Sequence, residues 1–309
     1  MDKNLPIISV IITTYNAQAT LKRLLVSILN QNGNHLLFKL QIIVVDDCST
    51  DETPQIVKSI TEVEFLSTDK NSGGPNKGRN MALDLVKGNY ICVVDHDDEW
   101  LPNKVESFLP HLEKADIISS GFFVINSRTQ SKTSRVSKPI HHHNYIFYDK
   151  NVTFIDKLRR TFKGQVSYLG SLIYNAKLKH IRFEEQHGKI DYDWGLKLFH
   201  ESTSLEICQE LYIRYVDGEN LSLNEEYRIL ECEFNMMVLT EYLKLYPREA
   251  KEGIKKTNGS MGKYYYLKGD MKKARHYFLL SFFNFKTALY YFTSYIGSSF
   301  IRKHFNIFG

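Results

Sequence analysis

The sequence is poor in the features that would mark several large protein classes. Only four cysteines occur in 309 residues, with no CxxC pair and no zinc-ligand spacing. That excludes a disulfide framework and a zinc ribbon, so Cys48, Cys92, Cys208 and Cys232 read as small residues of a reducing compartment. There is no GxxxxGK, which excludes a P-loop as a motif match. No apolar run suits the roughly 20 residues needed to cross a bilayer. The nearest, residues 279–301, is broken by Lys286 and thinned by Ser, Thr and Asn. The opening MDKNLPIISVIITTYN has an apolar run but no cleavage site, and reads as a strand rather than a signal peptide. No tandem repeat runs along the chain.

Excess charge is also small. Forty Lys and Arg face 35 Asp and Glu, a formal net of +5, with 43% apolar and 24% charged residues. Such proportions fit a globular chain with ample core material and exclude a disordered one. The length suggests two domains, or one with an appendage. The average hides an uneven distribution. Residues 251–309 hold 11 Lys and Arg against Glu252 and Asp270, with 15 of the 40 aromatics, which leaves −4 for the first 250 residues. A near-neutral body carries a basic, aromatic tail.

Within the body, strand and helix patterns alternate. The continuous Ile/Val-rich run at 5–12 and the run LQIIVV at 40–45 read as strands buried on both faces, and 63–66, 90–94 and 116–125 read as further strands. Helical spacing occupies 17–31, 51–60, 77–86 and 103–112. Short connections between them predict a mostly parallel sheet with helices on both faces. Residues 127–143, polar and ending in three histidines, read as a mobile loop. Strands are expected at 166–175 and 205–216, a helix opening at 191–200 and a long amphipathic helix over 223–246. The tail offers helices at 255–268 and 271–282 around Gly269-Asp270, a hairpin of tetratricopeptide type, then a further helix over 286–304.

Ligands of doubly wound sheets bind beyond the carboxyl ends of the strands. Here the first four strands end in TTYN, DDCSTD, NSGGPNKGRN and DHDD. Single acids after strands commonly cap helices. Polar segments after all four strands ask for a ligand. Carboxylates clustered at Asp95-x-Asp97 repel one another unless a cation neutralises them. Few protein oxygens suit Mg²⁺ or Mn²⁺ bridging to substrate phosphates.

TTYN, VVDDCSTD, the Gly-Arg-Asn of NKGRN and VDHDDEW, in this order, resemble family 2 glycosyltransferases of the GT-A fold over roughly residues 5–215. The resemblance implies an inverting transfer from a nucleotide-sugar, usually UDP-linked. It matches Thr13 and Tyr15 to positions lining uracil and ribose, Asp46 or Asp47 to the acid facing the uracil N–H, and Arg79 to the basic residue beside the base. Asp95 matches the ribose-side acid and Asp97 the metal-binding one, for Mg²⁺ or Mn²⁺. The general base of the family aligns with Asp191, with Asp193 as second choice. Ile190 stands where Glu is usual and Lys197 where Arg is usual.

These readings give a catalytic domain over residues 1–220. Within it, residues 1–125 would bind the nucleotide and residues 126–220 would form the acceptor side. A helical region over 221–309 follows. The expected acceptor is a cell-surface glycan or its polyprenyl-linked precursor, on the cytoplasmic side of a membrane. The basic aromatic tail either packs as helical core or lies on an anionic membrane surface. Nothing else supports nucleic-acid binding. An inactive sugar-nucleotide-binding protein and a nucleotidyltransferase are the alternatives, the latter lacking a basic glycine-rich loop after the first strand.

Overall fold

A computed structural model describes residues 5–139, 143–161, 164–187, 190–216, 225–282 and 284–297. The chain divides into two compact units, one of residues 1–154 with 164–224 and one of residues 155–163 with 225–309. The short segment 155–163 thus groups with the helices that follow the sheet.

The first unit opens with β1 (Ile7–Thr14), α1 (Leu21–Leu29), β2 (Lys39–Asp46), α2 (Thr53–Lys58), β3 (Val63–Ser67), α3 (Pro75–Asp84) and β4 (Tyr90–Asp95). Then come β5 (Glu99–Trp100), α4 (Lys104–Phe108), β6 (Ile117–Asn126), β7 (Lys132–Arg135), β8 (Tyr145–Tyr148), α5 (Val152–Leu158), β9 (Ile173–Asn175), α6 (Tyr192–Phe199) and β10 (Ser204–Val216). Seven of the eight residues of β1 are buried, as its Ile/Val run requires. On α1, Leu21, Leu24, Leu25 and Ile28 form the buried stripe set by the 3.6-residue period.

The strands form one sheet in the order β3-β2-β1-β4-β9-β6-β10-β5. β3, β2, β1 and β4 are mutually parallel, and β6 is parallel to β10. The sheet is more mixed than the alternating pattern suggests, because β9, β5, β7 and β8 all join antiparallel.

Two local expectations change. The stretch 166–175 is a strand only over Ile173–Asn175, preceded by a 3₁₀ turn at Leu169–Ser171. That turn lies hard against β10, since a Cβ on Gly170 would sit 2.2 Å from Tyr212 Oη. The stretch 127–143 is not simply a loop, because Lys132–Arg135 pairs antiparallel with β6. All four β7 residues are exposed and none is apolar, so no period-2 signal marks them. His141 and His142 lie outside the described residues.

The second unit comprises the segment 155–163 with α7 (Glu225–Glu241), α8 (Pro247–Lys268), α9 (Met271–Leu279) and α10 (Phe285–Thr293). The Gly269-Asp270 turn forms as its composition asks. Gly269 takes φ +96°, the amide of Asp270 donates to the Tyr265 carbonyl at 3.0 Å, and the Asp270 carboxylate accepts from the Lys273 amide at 3.0 Å. Met261, Tyr265, Tyr266, Ala274, Phe278 and Tyr290 are buried together. Phe278 and Tyr290 stack at 5.6 Å, and the Tyr266 hydroxyl donates to Thr293 Oγ1 at 2.9 Å. Much of the tail's aromatic content is therefore core. No helix among the described residues is long and apolar enough to cross a membrane.

Glycine at 253 lets α8 close on its neighbours. An added Cβ would lie 2.2 Å from the Leu158 carbonyl oxygen and 2.8 Å from Leu239 Cδ2. Gly253→Ala is expected to destabilise this unit by about 1–3 kcal/mol, the usual cost of overpacking. Urea unfolding of the full chain would register this as a lower midpoint.

Candidate active site

Sheet register brings the polar strand ends into one row. Thr13 sits between Val45 and Asp95, and Thr14 opposite Asp46. Because the four strands are parallel, their carboxyl ends and following loops share one edge.

Asp95 closes β4 and is held from two sides. Arg79 Nη2 donates to its Oδ1 at 2.8 Å and the Tyr168 hydroxyl to its Oδ2 at 3.2 Å. Arg79 is buried on α3, with its guanidinium 5.1 Å from the Phe183 ring. It reaches the strand end because α3 lies tight on the sheet, where a Cβ at Gly78 would stand 2.9 Å from Thr13 Cγ2.

The same arginine leads to the segment before α6. Arg79 Nη1 donates to Asn76 Oδ1 at 3.0 Å, and Asn76 Nδ2 donates to the carbonyls of Glu184 at 2.7 Å and Ile190 at 3.0 Å. Asn80 adds a second clamp. Its Nδ2 donates to the Phe183 carbonyl at 2.8 Å, and its Oδ1 accepts from the Phe183 amide at 2.9 Å. One hydrogen-bonded chain thus runs from the carboxylate at the end of β4 to the residue before Asp191.

Asp191 and Asp193 have different surroundings. Asp191 is the exposed N-cap residue of α6, and its side chain makes no cap hydrogen bond. Asp193 is buried and accepts from Lys197 Nζ at 2.6 Å. Among the described residues, the acid at the helix start whose carboxylate makes no cap hydrogen bond is Asp191.

The two acids after β2 are occupied within the fold. Asp46 accepts from Thr14 Oγ1 at 2.9 Å, the Ser49 amide at 2.9 Å and Ser49 Oγ at 2.5 Å. Asp47 accepts from Thr68 Oγ1 at 2.8 Å and from the Ser72 amide and hydroxyl at 2.9–3.0 Å. These bonds shape the loops at the strand ends. Tyr15 remains 49% exposed beside them.

Beyond Asp95 the loop is crowded with charge. Burial and the Asp95 charge push the Asp97 carboxyl up. Burial, then Asp95 and Asp97, push Asp98 well above the usual carboxylate range. The Tyr212 hydroxyl and the Tyr215 amide donate to Asp98, and the Arg23 guanidinium donates to the Asp97 carbonyl. His96 Nδ1 lies 3.1 Å from Thr20 Oγ1, and the His96 charge partly offsets the rise at Asp97. Oxygen donors whose charged form is penalised by burial and mutual repulsion fit a hard divalent cation. Such a cation needs only one or two carboxylates when phosphates supply the rest. Among the described residues no three or more His, Cys, Asp or Glu side chains converge as a protein-only cage.

Sequence reasoning missed Asn76, Tyr168, Tyr212 and Asp98 as members of this cluster. Asn76 and Asp98 lay within the polar segments already singled out. Nothing in the pattern of β10 marks Tyr212, which the strand presents beside register shifts between Ile207 and Ile213.

The profile of the family described as Glycosyl transferase family 2 matches residues 9–190, more than half of the chain. The chain therefore belongs to glycosyl transferase family 2. It is 31% identical over 161 residues to the putative colanic acid biosynthesis glycosyl transferase WcaA of Escherichia coli, covering 48% of this chain and 55% of that one. It is 30% identical over 163 residues to the putative teichuronic acid biosynthesis glycosyltransferase TuaG of Bacillus subtilis, covering 52% and 60%. Each match thus spans little more than half of the relative's length. The crystal structure of S. aureus TarS 1–349 in complex with UDP-GlcNAc superposes with a TM-score of 0.60 at 18% identity, over 98% of this chain and 93% of that one. The GT-A fold, with a helical region after it, is shared.

The raised acids make stability depend on pH in an unusual direction for carboxylates. The folded chain retains protons that the unfolded chain releases above about pH 4, so stability falls as pH rises through the raised values. In cation-free buffer, Asp97→Asn is expected to melt with the parent near pH 4 and above it at about pH 8. Thermal midpoints across that range check this.

Proposed function

We propose that this chain is an inverting, metal-dependent glycosyltransferase. It would move a sugar from a UDP-sugar to a hydroxyl of a cell-surface glycan or its lipid-linked precursor. The observation that carries this reading is the hydrogen-bonded chain Asp95–Arg79–Asn76–Ile190, which ties the donor-side carboxylate to the entry of Asp191. Relatives named for colanic and teichuronic acid biosynthesis, and a neighbour structure named as a complex with UDP-GlcNAc, support the substrate class.

In this reading Thr13, Tyr15, Asp46 and Asp47 frame the nucleoside, with Arg79 beneath it and Asp95 facing the ribose. Asp97, with Asp95, would hold Mg²⁺ or Mn²⁺, which supplies positive charge opposite the diphosphate as negative charge grows there. The Asp191 carboxylate takes the proton of the acceptor hydroxyl as its oxygen bonds to the anomeric carbon. The bond from that carbon to the diphosphate oxygen breaks, and UDP leaves with the bonding pair. Exposure and the lack of a side-chain cap hydrogen bond suit Asp191 to this role, whereas the pairing of Asp193 with Lys197 suits a structural one.

A screen of nucleotide-sugars that records UDP release tests the reading. Turnover is expected with a UDP-sugar, lost on chelation and restored by Mn²⁺. Asp191→Asn should lower kcat by about 10²–10⁴-fold, the usual worth of a general base, at unchanged UDP affinity. Asp193→Asn should instead lower the unfolding midpoint. UDP binding without turnover under any donor would favour a binding-only protein.

A further inference from the structure

The helical unit contains a groove that the proposed reaction does not use. It has a volume of about 300 Å³, at the small end of ligand pockets, and lies among α8, α9 and α10. Four lysines line it: Lys255, Lys256 and Lys263 from α8 and Lys286 from α10. No Asp or Glu lines it among the described residues. Lys256 is paired with Glu252 at 2.8 Å, and Lys255 lies 4.9 Å from the Phe282 ring. Lys263 and Lys286 form no ion pair among the described residues.

Two further features converge there. Asn284, which lines the groove, is the N-cap of the nine-residue helix α10 and accepts from the Thr287 amide at 3.0 Å. The positive end of that helix therefore adds to the lysines' field. The chain bordering the groove also carries an apolar rim. Leu279, Leu280 and Phe282 are exposed, and Phe285 is 86% exposed. A soluble anion would use the lysines but gains nothing from the rim. An anionic lipid surface uses both, because basic residues meet headgroup phosphates while aromatic and aliphatic side chains enter the interface.

We propose that this groove binds the phosphate of an anionic lipid headgroup, seating the helical unit on a membrane surface through the Leu279–Leu280–Phe282–Phe285 rim. The proposal concerns the helical unit alone and does not rest on the identity of the reaction.

The test is co-sedimentation of the full chain with phosphatidylcholine vesicles, with and without phosphatidylglycerol. Binding is expected only with phosphatidylglycerol. The double variant Lys263→Gln/Lys286→Gln should weaken it about 30-fold, at a factor of roughly five per lysine. Phe285→Ser should weaken it as well. The double variant Lys22→Gln/Lys39→Gln removes the same charge from the other unit and should leave partition within about twofold of the parent, since the lipid phosphate is assigned to the groove lysines and not to net charge. Equal binding to both vesicle types, an unchanged Lys263/Lys286 variant, or an equal loss in the Lys22/Lys39 variant would overturn the site. Saturation of the lysines by inorganic pyrophosphate, with no vesicle binding, would overturn the lipid as its source.

Discussion

Three carboxylates within four residues at the end of β4 set the terms for the rest of the first unit. Burial, and then the charge of Asp95, raises the cost of ionising Asp97 and Asp98. The fold answers each differently. Asp95 is paired with the buried Arg79, Asp98 is sunk among tyrosine donors, and Asp97 is left with its carboxyl raised, offset only in part by the His96 and Arg214 charges. That unequal treatment leaves one acid that a cation would relieve.

Holding Asp95 in this way shapes α3. Its buried residues include Asn76, Gly78, Arg79 and Asn80, where a packing helix would place aliphatic groups. Polar groups in such a place are costly unless every bond is made. Here nearly all are tied: Asn76 and Asn80 take backbone groups of Phe183, Glu184 and Ile190, and Arg79 takes Asp95 and Asn76, with its Nε left without a hydrogen-bond partner among the described residues. Phe183, so anchored, stacks on Trp194 of α6 at 4.5 Å. The helix that presents Asp191 is therefore positioned by the same network that neutralises Asp95. A substitution in α3 is felt at both ends.

The parallel strands at the start of the chain were legible because burial on both faces demands apolar, Ile/Val-rich runs, and β1, β2 and β4 comply. The post-strand acids were legible because parallel strands must deliver them to one edge. β7 was not, since an exposed edge strand of Lys, Thr, Ser and Arg needs no apolar alternation. Nor was the shortness of β9. An apolar stretch does not announce that Gly170 must turn against Tyr212. Asp191 and Asp193 lie two residues apart and look alike in sequence. Burial and the partner Lys197, one turn along α6, distinguish Asp193 from Asp191. Long-range contacts such as Tyr212 to Asp98 leave no local trace at all.

A buried cation shares Tyr212 with the acid cluster. Lys104 is fully buried, and its Nζ lies 4.7 Å from the Phe108 ring, 5.3 Å from Trp100 and 5.6 Å from Tyr212. Burial pushes it down to about 8, and the nearby Cys92 thiol, pushed up to about 11 by its own burial, cannot serve as its counter-ion. A buried ammonium without a carboxylate is costly in an apolar core. Ring faces recover some of that cost through their quadrupoles. One of those rings is Tyr212, whose hydroxyl donates to Asp98. Tyr212 therefore serves two buried polar groups at once, its ring face turned to the Lys104 ammonium and its hydroxyl to Asp98.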